Sequence, residues 1–280
     1  MRSTLIGAFL VAAATACQSA PQPAQPGGAT ALSPPPPTTT GPVSNDGLVA
    51  RGEYVAAIGG CASCHGADLG GGEQHASGAM GSWRGPNITP DPQLGIGAWN
   101  DDQLAAAIRD GVRPDGRELA PLMPYPAYHA LTDDDTEALV AYLQSRPAVH
   151  RQIDRGHLDM PPVAVPAARE QLTRGAYLAT VMHCSACHGK DYAGGMKMQE
   201  GGDTVIAPNI TSDHDHGIGE WSDRDVERAV RGMVAKNGHV IHKPMADYRD
   251  SWSKLSDDDA RALAGFVRGI PAVAKPVPTE

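Results

Sequence analysis

The stretch "GGCASCHGADLGGG", residues 59–72, contains two cysteines separated by two residues and followed directly by a histidine. A related stretch, "MHCSACHGKDYAGG", occupies residues 182–195. C-x-x-C-H is the attachment pattern of c-type haem, but two cysteines at this spacing also occur in redox enzymes and in zinc sites. The surroundings of the two copies therefore have to decide among a redox dithiol, a zinc site and a covalent haem site.

The two copies belong to a longer internal repeat. "RGEYVAAIGGCASCHGADLGGG" (51–72) aligns with "RGAYLATVMHCSACHGKDYAGG" (174–195) at an offset of 123 residues. The match continues through a shared "PNIT" and through "GIGAW" against "GIGEW", and it ends at "RPAV" against "IPAV". We therefore predict two homologous domains, at residues 47–150 and 168–275. A linker broken by prolines joins them at residues 151–167, and a short tail follows at residues 276–280.

Helical periodicity dominates each repeat. Apolar residues recur at helical spacing in "GLVARGEYVAAIGGCASCH", a second helix is expected from about Asn100 to Gly111, and "LTDDDTEALVAYLQSR" predicts a third. Thr132 and Ser256 are the expected N-caps of the last helix of each repeat, and the aspartates that follow them would face the positive end of the helix dipole. The alternative for these acidic runs is an acidic docking face. The glycine- and proline-rich loops show no strand alternation, so we predict an all-α fold whose long loops wrap a large rigid ligand.

Cysteine number and context favour haem. Of the five cysteines, one lies near the N-terminus and two lie in each repeat, which leaves none for an ordinary disulfide. No strand precedes the pairs, as a thioredoxin-like site requires, and a shared zinc site would leave the histidine unexplained. On one helical turn, Cys61 and Cys64 can form thioethers to one porphyrin while His65 presents a nitrogen to its iron. Two covalently bound haem c groups are therefore predicted, the second at Cys184, Cys187 and His188.

The second axial ligand of each iron is expected to be a methionine. Met123 in "APLMPYPAY" lies 58 residues after the first motif's histidine, and Met245 in "HKPMADY" lies 57 residues after the second. In c-type haem proteins the partner of histidine is commonly methionine, which raises the reduction potential. His239 and His242 lie close to Met245 in the chain, so a bis-histidine haem of lower potential is an alternative for the second repeat.

Further residues are expected around the ligands. A ligating histidine usually donates its other N–H to a fixed acceptor, and the backbone carbonyls of Pro86 and Pro208 in the two "PNIT" segments are the candidates. The candidates for contacts to the haem propionates are Trp99, Trp221, Arg109 and Arg231. For the two tryptophans, packing in the core is the alternative.

The N-terminal segment is typical of an exported protein. "MRSTLIGAFLVAAATACQSA" has one arginine, a short apolar run and small residues before Cys17, which predicts a signal peptide over residues 1–16. "ATAC" resembles a bacterial lipobox, so we expect lipidation of Cys17 and a proline-rich tether over residues 17–46. Ordinary cleavage, giving a soluble periplasmic protein, is the alternative. The formal net charge of −9 argues against a nucleic-acid partner.

The segments "PNITPDPQLGIGAWNDDQLAAAIRDGV" and "LMPYPAYHALTDDDTEALVAYLQSRPAV" closely resemble the cytochrome c subunits of bacterial membrane-bound alcohol, aldehyde and gluconate dehydrogenases. The resemblance implies two tandem class I-like cytochrome c domains, each wrapped around one covalently attached haem, with Met123 and, by repeat alignment, Met245 as axial ligands. Those subunits typically carry three haem motifs, whereas this chain has two.

The implied function is electron transfer at the periplasmic side of a bacterial membrane, reached through the lipid anchor. The donor would be a dehydrogenase, and the acceptor an oxidase, a quinone site or a soluble cytochrome of the respiratory chain. The chain would then be a carrier and not an enzyme. A dihaem enzyme with one reactive haem, such as a thiosulfate dehydrogenase or a peroxidase, is the alternative.

Overall fold

Helices form most of the regular structure in the computed structural model, which describes residues 45–76, 81–168, 170–200 and 202–278. In the first repeat they are α1 (Asn45–Ile58), α2 (Cys61–His65), α3 (Asp101–Arg109), α4 (Tyr125–Tyr128) and α5 (Asp133–Gln144). In the second they are α6 (Arg174–Val181), α7 (Cys184–His188), α8 (Asp223–Gly232), α9 (Arg249–Trp252) and α10 (Asp257–Arg268), with a 3₁₀ turn at Met245–Tyr248. The all-α prediction is confirmed. The predicted signal peptide, Cys17 and nearly all of the predicted tether lie outside the described residues.

Side-chain caps start the helices where the sequence predicts. A reciprocal capping box joins Asn100 and Gln103 at the start of α3, with N···O distances of 2.9 and 3.0 Å. Thr132 and Ser256 accept hydrogen bonds from the backbone N–H three residues on, at 3.1 and 3.2 Å, and so cap α5 and α10. The helix-cap interpretation of the two acidic runs is therefore correct.

The first and last helices of each repeat cross closely. α1 packs on α5, and α6 packs on α10. A Cβ atom on Gly52 would lie 1.9 Å from the Ala138 carbonyl oxygen, and one on Gly175 would lie 2.2 Å from that of Ala262. Only glycine allows such an approach, so a larger residue at either position would push the two helices apart.

A left-handed residue separates each short helix from the helix before it. Gly60 precedes α2 with φ 71°, and His183 precedes α7 with φ 47°. The long helical stretch expected over residues 47–65 is therefore two helices, because a residue in this conformation ends an α-helix.

Five short strands were not predicted. β1 (Gln74–Ala76), β2 (Gly81–Arg84) and β3 (Gly156–Leu158) form an antiparallel sheet in that order, and β4 (Lys197–Glu200) pairs with β5 (Asp203–Ile206). Strands of three or four residues are too short to show an alternating pattern. β3 belongs to the predicted linker, which is thereby hydrogen-bonded to the first repeat. Within the described ranges, no helix combines the length and the apolar composition needed to cross a bilayer.

Candidate haem sites

Each C-x-x-C-H sequence forms one short, isolated helix. Cys61, Cys64 and His65 lie on α2, and all four cysteines of the two motifs are free thiols. The glycine-rich loop packs directly on the end of this helix, because a Cβ atom on Gly85 would lie 1.9 Å from the Cys64 carbonyl oxygen. The two thiols and the imidazole are thus presented from one turn, which is the arrangement that thioether attachment of a porphyrin and axial ligation of its iron require.

The histidine side chains are held by the predicted acceptors. Nδ1 of His65 lies 2.8 Å from the carbonyl oxygen of Pro86, and Nδ1 of His188 lies 2.9 Å from that of Pro208. A carbonyl can only accept, so Nδ1 carries the proton and Nε2 is left for a metal. Burial lowers the pKa of both imidazoles, although the hydrogen bond opposes it, and this favours the neutral form that binds iron. The predicted proline contacts are confirmed.

The "PNIT" segments carry a clamp that sequence reasoning missed. Asn87 donates through Nδ2 to the Val149 carbonyl at 2.6 Å, while its Oδ1 accepts from the backbone N–H and the hydroxyl of Thr89 at 2.9 and 2.7 Å. Asn209 makes the same bonds to Val273 and Thr211, at 2.8, 2.9 and 2.7 Å. Asn87 and Asn209 are 3% exposed. Each clamp holds the proline carbonyl that orients the histidine. The repetition of "PNIT" together with "PAV" is the sequence signal from which the clamps could have been predicted.

The geometry does not support the redox and zinc interpretations. Burial, followed by the charge of the neighbouring cysteine, raises the pKa of Cys61 and of Cys184 to about 12. A redox-active dithiol instead needs a thiol whose pKa is lowered. No three of the described histidine, cysteine, aspartate and glutamate side chains meet in a group that could hold a metal ion.

The two predicted methionine ligands are more buried than the histidines near Met245. Met123 and Met245 are partly buried and pack against the hydrophobic core. Met123 lies in the loop before α4, and Met245 begins the 3₁₀ turn. His239 and His242 are exposed, and their rings meet edge to face at 5.6 Å. The surroundings of the second site therefore favour Met245 over either histidine.

The arginines that were expected near the propionates have other partners. Nη1 of Arg109 lies 2.9 Å from a carboxylate oxygen of Asp133, and Nη1 of Arg231 lies 2.7 Å from one of Asp257, so both bind the first turn of the last helix. These aspartates compete for the two guanidinium groups, and the contact of both arginines with the haem propionates stays a prediction.

A different arginine has an unsatisfied group. Arg113 lies over the ring of the partly buried Trp99, with its guanidinium carbon 5.3 Å from the ring centroid. Its Nε is buried without a hydrogen-bond partner, since the nearest carboxylate oxygen, on Asp115, is 3.6 Å away. A buried N–H of this kind needs an acceptor, and a haem propionate would supply one.

Two such sites in a duplicated helical chain define a c-type haem protein. The sequence model of the family described as "Cytochrome c" matches residues 49–147 and again residues 172–271. The chain belongs to the cytochrome c family. It carries two covalently bound haem c groups.

Proteins of similar sequence include cytochrome c subunits of dehydrogenases and a dihaem cytochrome. The chain is 34% identical to the gluconate 2-dehydrogenase cytochrome c subunit of Pantoea cypripedii, over 82% of its own length and 61% of the relative's. It is 34% identical to the cytochrome c subunit of the quinone-dependent alcohol dehydrogenase of Gluconobacter oxydans, over 82% and 56% of the two lengths. It is 29% identical to a dihaem c-type cytochrome of Cereibacter sphaeroides, over 81% and 87%. The predicted resemblance is confirmed, and the chain spans about three fifths of the dehydrogenase subunits.

Proposed function

We propose that this chain is a periplasmic, lipid-anchored dihaem cytochrome c that accepts electrons from a dehydrogenase and passes them to a quinone site, an oxidase or a soluble cytochrome. The observation that carries the proposal is similarity to dehydrogenase cytochrome subunits over about four fifths of the chain, covering both C-x-x-C-H turns. The haem thioethers would form at Cys61, Cys64, Cys184 and Cys187, and the axial ligands would be His65 with Met123 and His188 with Met245.

When bound, each haem supplies a one-electron redox centre, and the chain's own residues set its surroundings. The prolines' carbonyls orient the histidines, and the asparagine clamps hold those carbonyls in place. The exposure of His239 and His242 supports methionine at the second iron. Two histidine–methionine irons suit a carrier better than a peroxidase or a thiosulfate dehydrogenase, which needs one reactive iron.

The donor can be tested in the bacterium that makes the protein. We expect deletion of this chain to abolish oxygen uptake driven by one dehydrogenase substrate, such as an alcohol, an aldehyde or gluconate. The full chain should restore uptake, and the double variant Cys61→Ala, Cys64→Ala should not. Undiminished uptake on every such substrate would refute a role in dehydrogenase electron transfer.

The anchor can be tested by fractionation. The support for it is the lipobox-like "ATAC" followed by the proline-rich segment. We expect Cys17→Ser to move the haem-containing protein from the membrane to the soluble periplasmic fraction, while the neighbouring control Ser19→Ala stays with the membrane. A Cys17→Ser protein that stays membrane-bound would contradict lipid anchoring.

A further inference from the structure

The ring of Tyr248 lies between the two haem attachment helices. On one side it packs against Gly60, which precedes α2: a Cβ atom there would lie 2.7 Å from Cε1 of the tyrosine. On the other side it meets His183, which precedes α7, edge to face at a centroid distance of 5.2 Å. Gly60 and His183 are the left-handed residues that start the two attachment turns. One side chain of the second repeat therefore contacts the starting point of both.

Electrostatics and a hydrogen bond also place Tyr248 next to the attachment turns. Burial, and then the neighbouring Cys64 and Cys187, raises the pKa of Tyr248, so the ring lies near one attachment cysteine of each repeat. The hydroxyl of Ser63, inside the first motif, donates to the backbone carbonyl of Asp247 at 3.3 Å. The segment carrying Tyr248 is thus in contact with the first attachment turn itself.

Neighbouring aromatic side chains hold this ring in place. Trp252 stacks on it with ring centroids 4.7 Å apart, and its Nε1 donates to the Ile58 carbonyl of the first repeat at 3.2 Å. Tyr128 of the first repeat meets His183 edge to face at 6.4 Å and donates through its hydroxyl to the Gly59 carbonyl. Both bonds end on the two residues that precede Gly60, so the whole cluster is anchored at the start of the first turn.

A reciprocal pair of tyrosine–aspartate bonds joins the two repeats around the cluster. Tyr54 of α1 donates to Asp259 of α10, and Tyr177 of α6 donates to Asp135 of α5. Each aspartate also pairs with an arginine of its own repeat, at 2.6 Å for Asp259 and 2.7 Å for Asp135. The contact is therefore self-complementary, like the interface of a two-fold symmetric dimer, and it holds the repeats in one relative placement.

We propose that Tyr248 is a positioning residue, whose ring fixes the separation of the two attachment turns and thereby sets the rate of electron exchange between the two haems. The proposal rests on the proposed attachment of one haem at each turn. Tyr248 lies in a segment that is two residues longer than its equivalent in the first repeat, where "MPYPAY" stands against "MADYRDSW". Because its ring contacts Gly60 of one repeat and His183 of the other, the contact belongs to the pairing of the domains and not to either domain alone.

The test uses the full chain carrying both haems. In half-reduced samples, exchange between the two one-electron forms broadens the haem methyl resonances in the NMR spectrum and gives the exchange rate. The variants are Tyr248→Ala and Tyr248→Leu, with Tyr248→Phe as the matched control that keeps the ring. Haem count and the optical spectrum of each haem are recorded for every variant.

We expect Tyr248→Ala and Tyr248→Leu to slow exchange severalfold, because loss of the ring lets the two attachment turns separate and electron transfer slows steeply with the distance between the haems. Tyr248→Phe should stay within about twofold of the parent, since it keeps the ring between the two attachment turns. An exchange rate of Tyr248→Ala within about twofold of the parent would overturn the proposal. If the alanine variant does not retain two haems, the exchange rate of Tyr248→Leu decides by the same criterion. A parent chain without a haem at each turn would instead refute the proposed attachment.

Discussion

The two repeats agree on the histidine side of their sites and differ on the methionine side. On the histidine side, the attachment helix, the proline carbonyl and the asparagine clamp recur with distances that agree within 0.2 Å. On the methionine side, Met123 leads into the helix α4, whereas Met245 opens a 3₁₀ turn that continues into α9.

The difference follows from what each side has to do. Covalent attachment of a haem and orientation of its histidine require one arrangement of the cysteines, the histidine and the proline carbonyl. Both repeats therefore share that arrangement. The methionine side also forms the contact between the repeats, and there the second repeat inserts Tyr248 beside Gly60. Arg113 adds a further asymmetry, because the aligned residue of the second repeat is Ala235. The two sites therefore match around their histidines but differ around the proposed methionine ligands.

The largest expected effect comes from removing one attachment pair. The double variant Cys61→Ala, Cys64→Ala should lose one of the two covalent haems, and Cys184→Ala, Cys187→Ala should lose the other, because each pair supplies both thioethers of one porphyrin. Intact-mass measurement of the purified chain counts the haems. A chain that keeps two covalent haems after either change would show that the assignment is wrong.

Breaking one asparagine clamp should have a smaller and local effect. Asn87→Ala removes three buried hydrogen bonds and should lower the free energy of unfolding by about 3 kcal/mol, at about 1 kcal/mol for each bond. It should also shift the reduction potential of the first haem and not of the second, because it releases the carbonyl that orients His65. Asn209→Ala is the matched control and should do the reverse. Equal shifts of both haems in either variant would contradict two independent clamps.

The smallest expected effect is a pH dependence of the contact between the repeats. Burial of Asp259 opposes ionisation, but hydrogen bonds from Arg174 and Tyr54 outweigh it and lower its pKa below the ordinary value. A carboxyl with a lowered pKa stabilises the folded state above the unfolded-state value of about 4, and this contribution is lost as the pH falls through the folded-state value.

We therefore expect Asp259→Asn to reduce the free energy of unfolding by about 1–2 kcal/mol at pH 7, with the deficit shrinking below about pH 4. Denaturant unfolding at several pH values measures it. The exposed Asp250→Asn is the control and should show no such trend. A deficit for Asp259→Asn that stays constant across the acid range would argue against the charged pair as its source.

Short-range patterns predicted the histidine side well. The attachment motif, the caps at Thr132 and Ser256, and the proline acceptors each depend on residues within about two dozen positions of one another. Covalent chemistry and capping dictate residue types at fixed spacing, so they can be read without knowing the fold.

Contacts that depend on packing could not be predicted in this way. The aspartates of the acidic runs were correctly placed in the first turns of the last helices, but Asp135 and Asp259 also bind tyrosines of the other repeat. Tyr54 and Asp259 lie 205 residues apart, and nothing in the local pattern of either one indicates the other. The same holds for Arg113, whose unsatisfied Nε depends on how the chain folds around it.

The identity of the ligands on the methionine side is tested most directly by near-infrared magnetic circular dichroism of the fully oxidised chain. We expect charge-transfer intensity from two histidine–methionine irons, halved in Met123→Ala, equally halved in Met245→Ala and absent from the double variant, while the exposed control Met196→Ala leaves it unchanged. A band that survives Met245→Ala intact, or a bis-histidine signal in the parent chain, would contradict two methionine-ligated haems joined in one carrier.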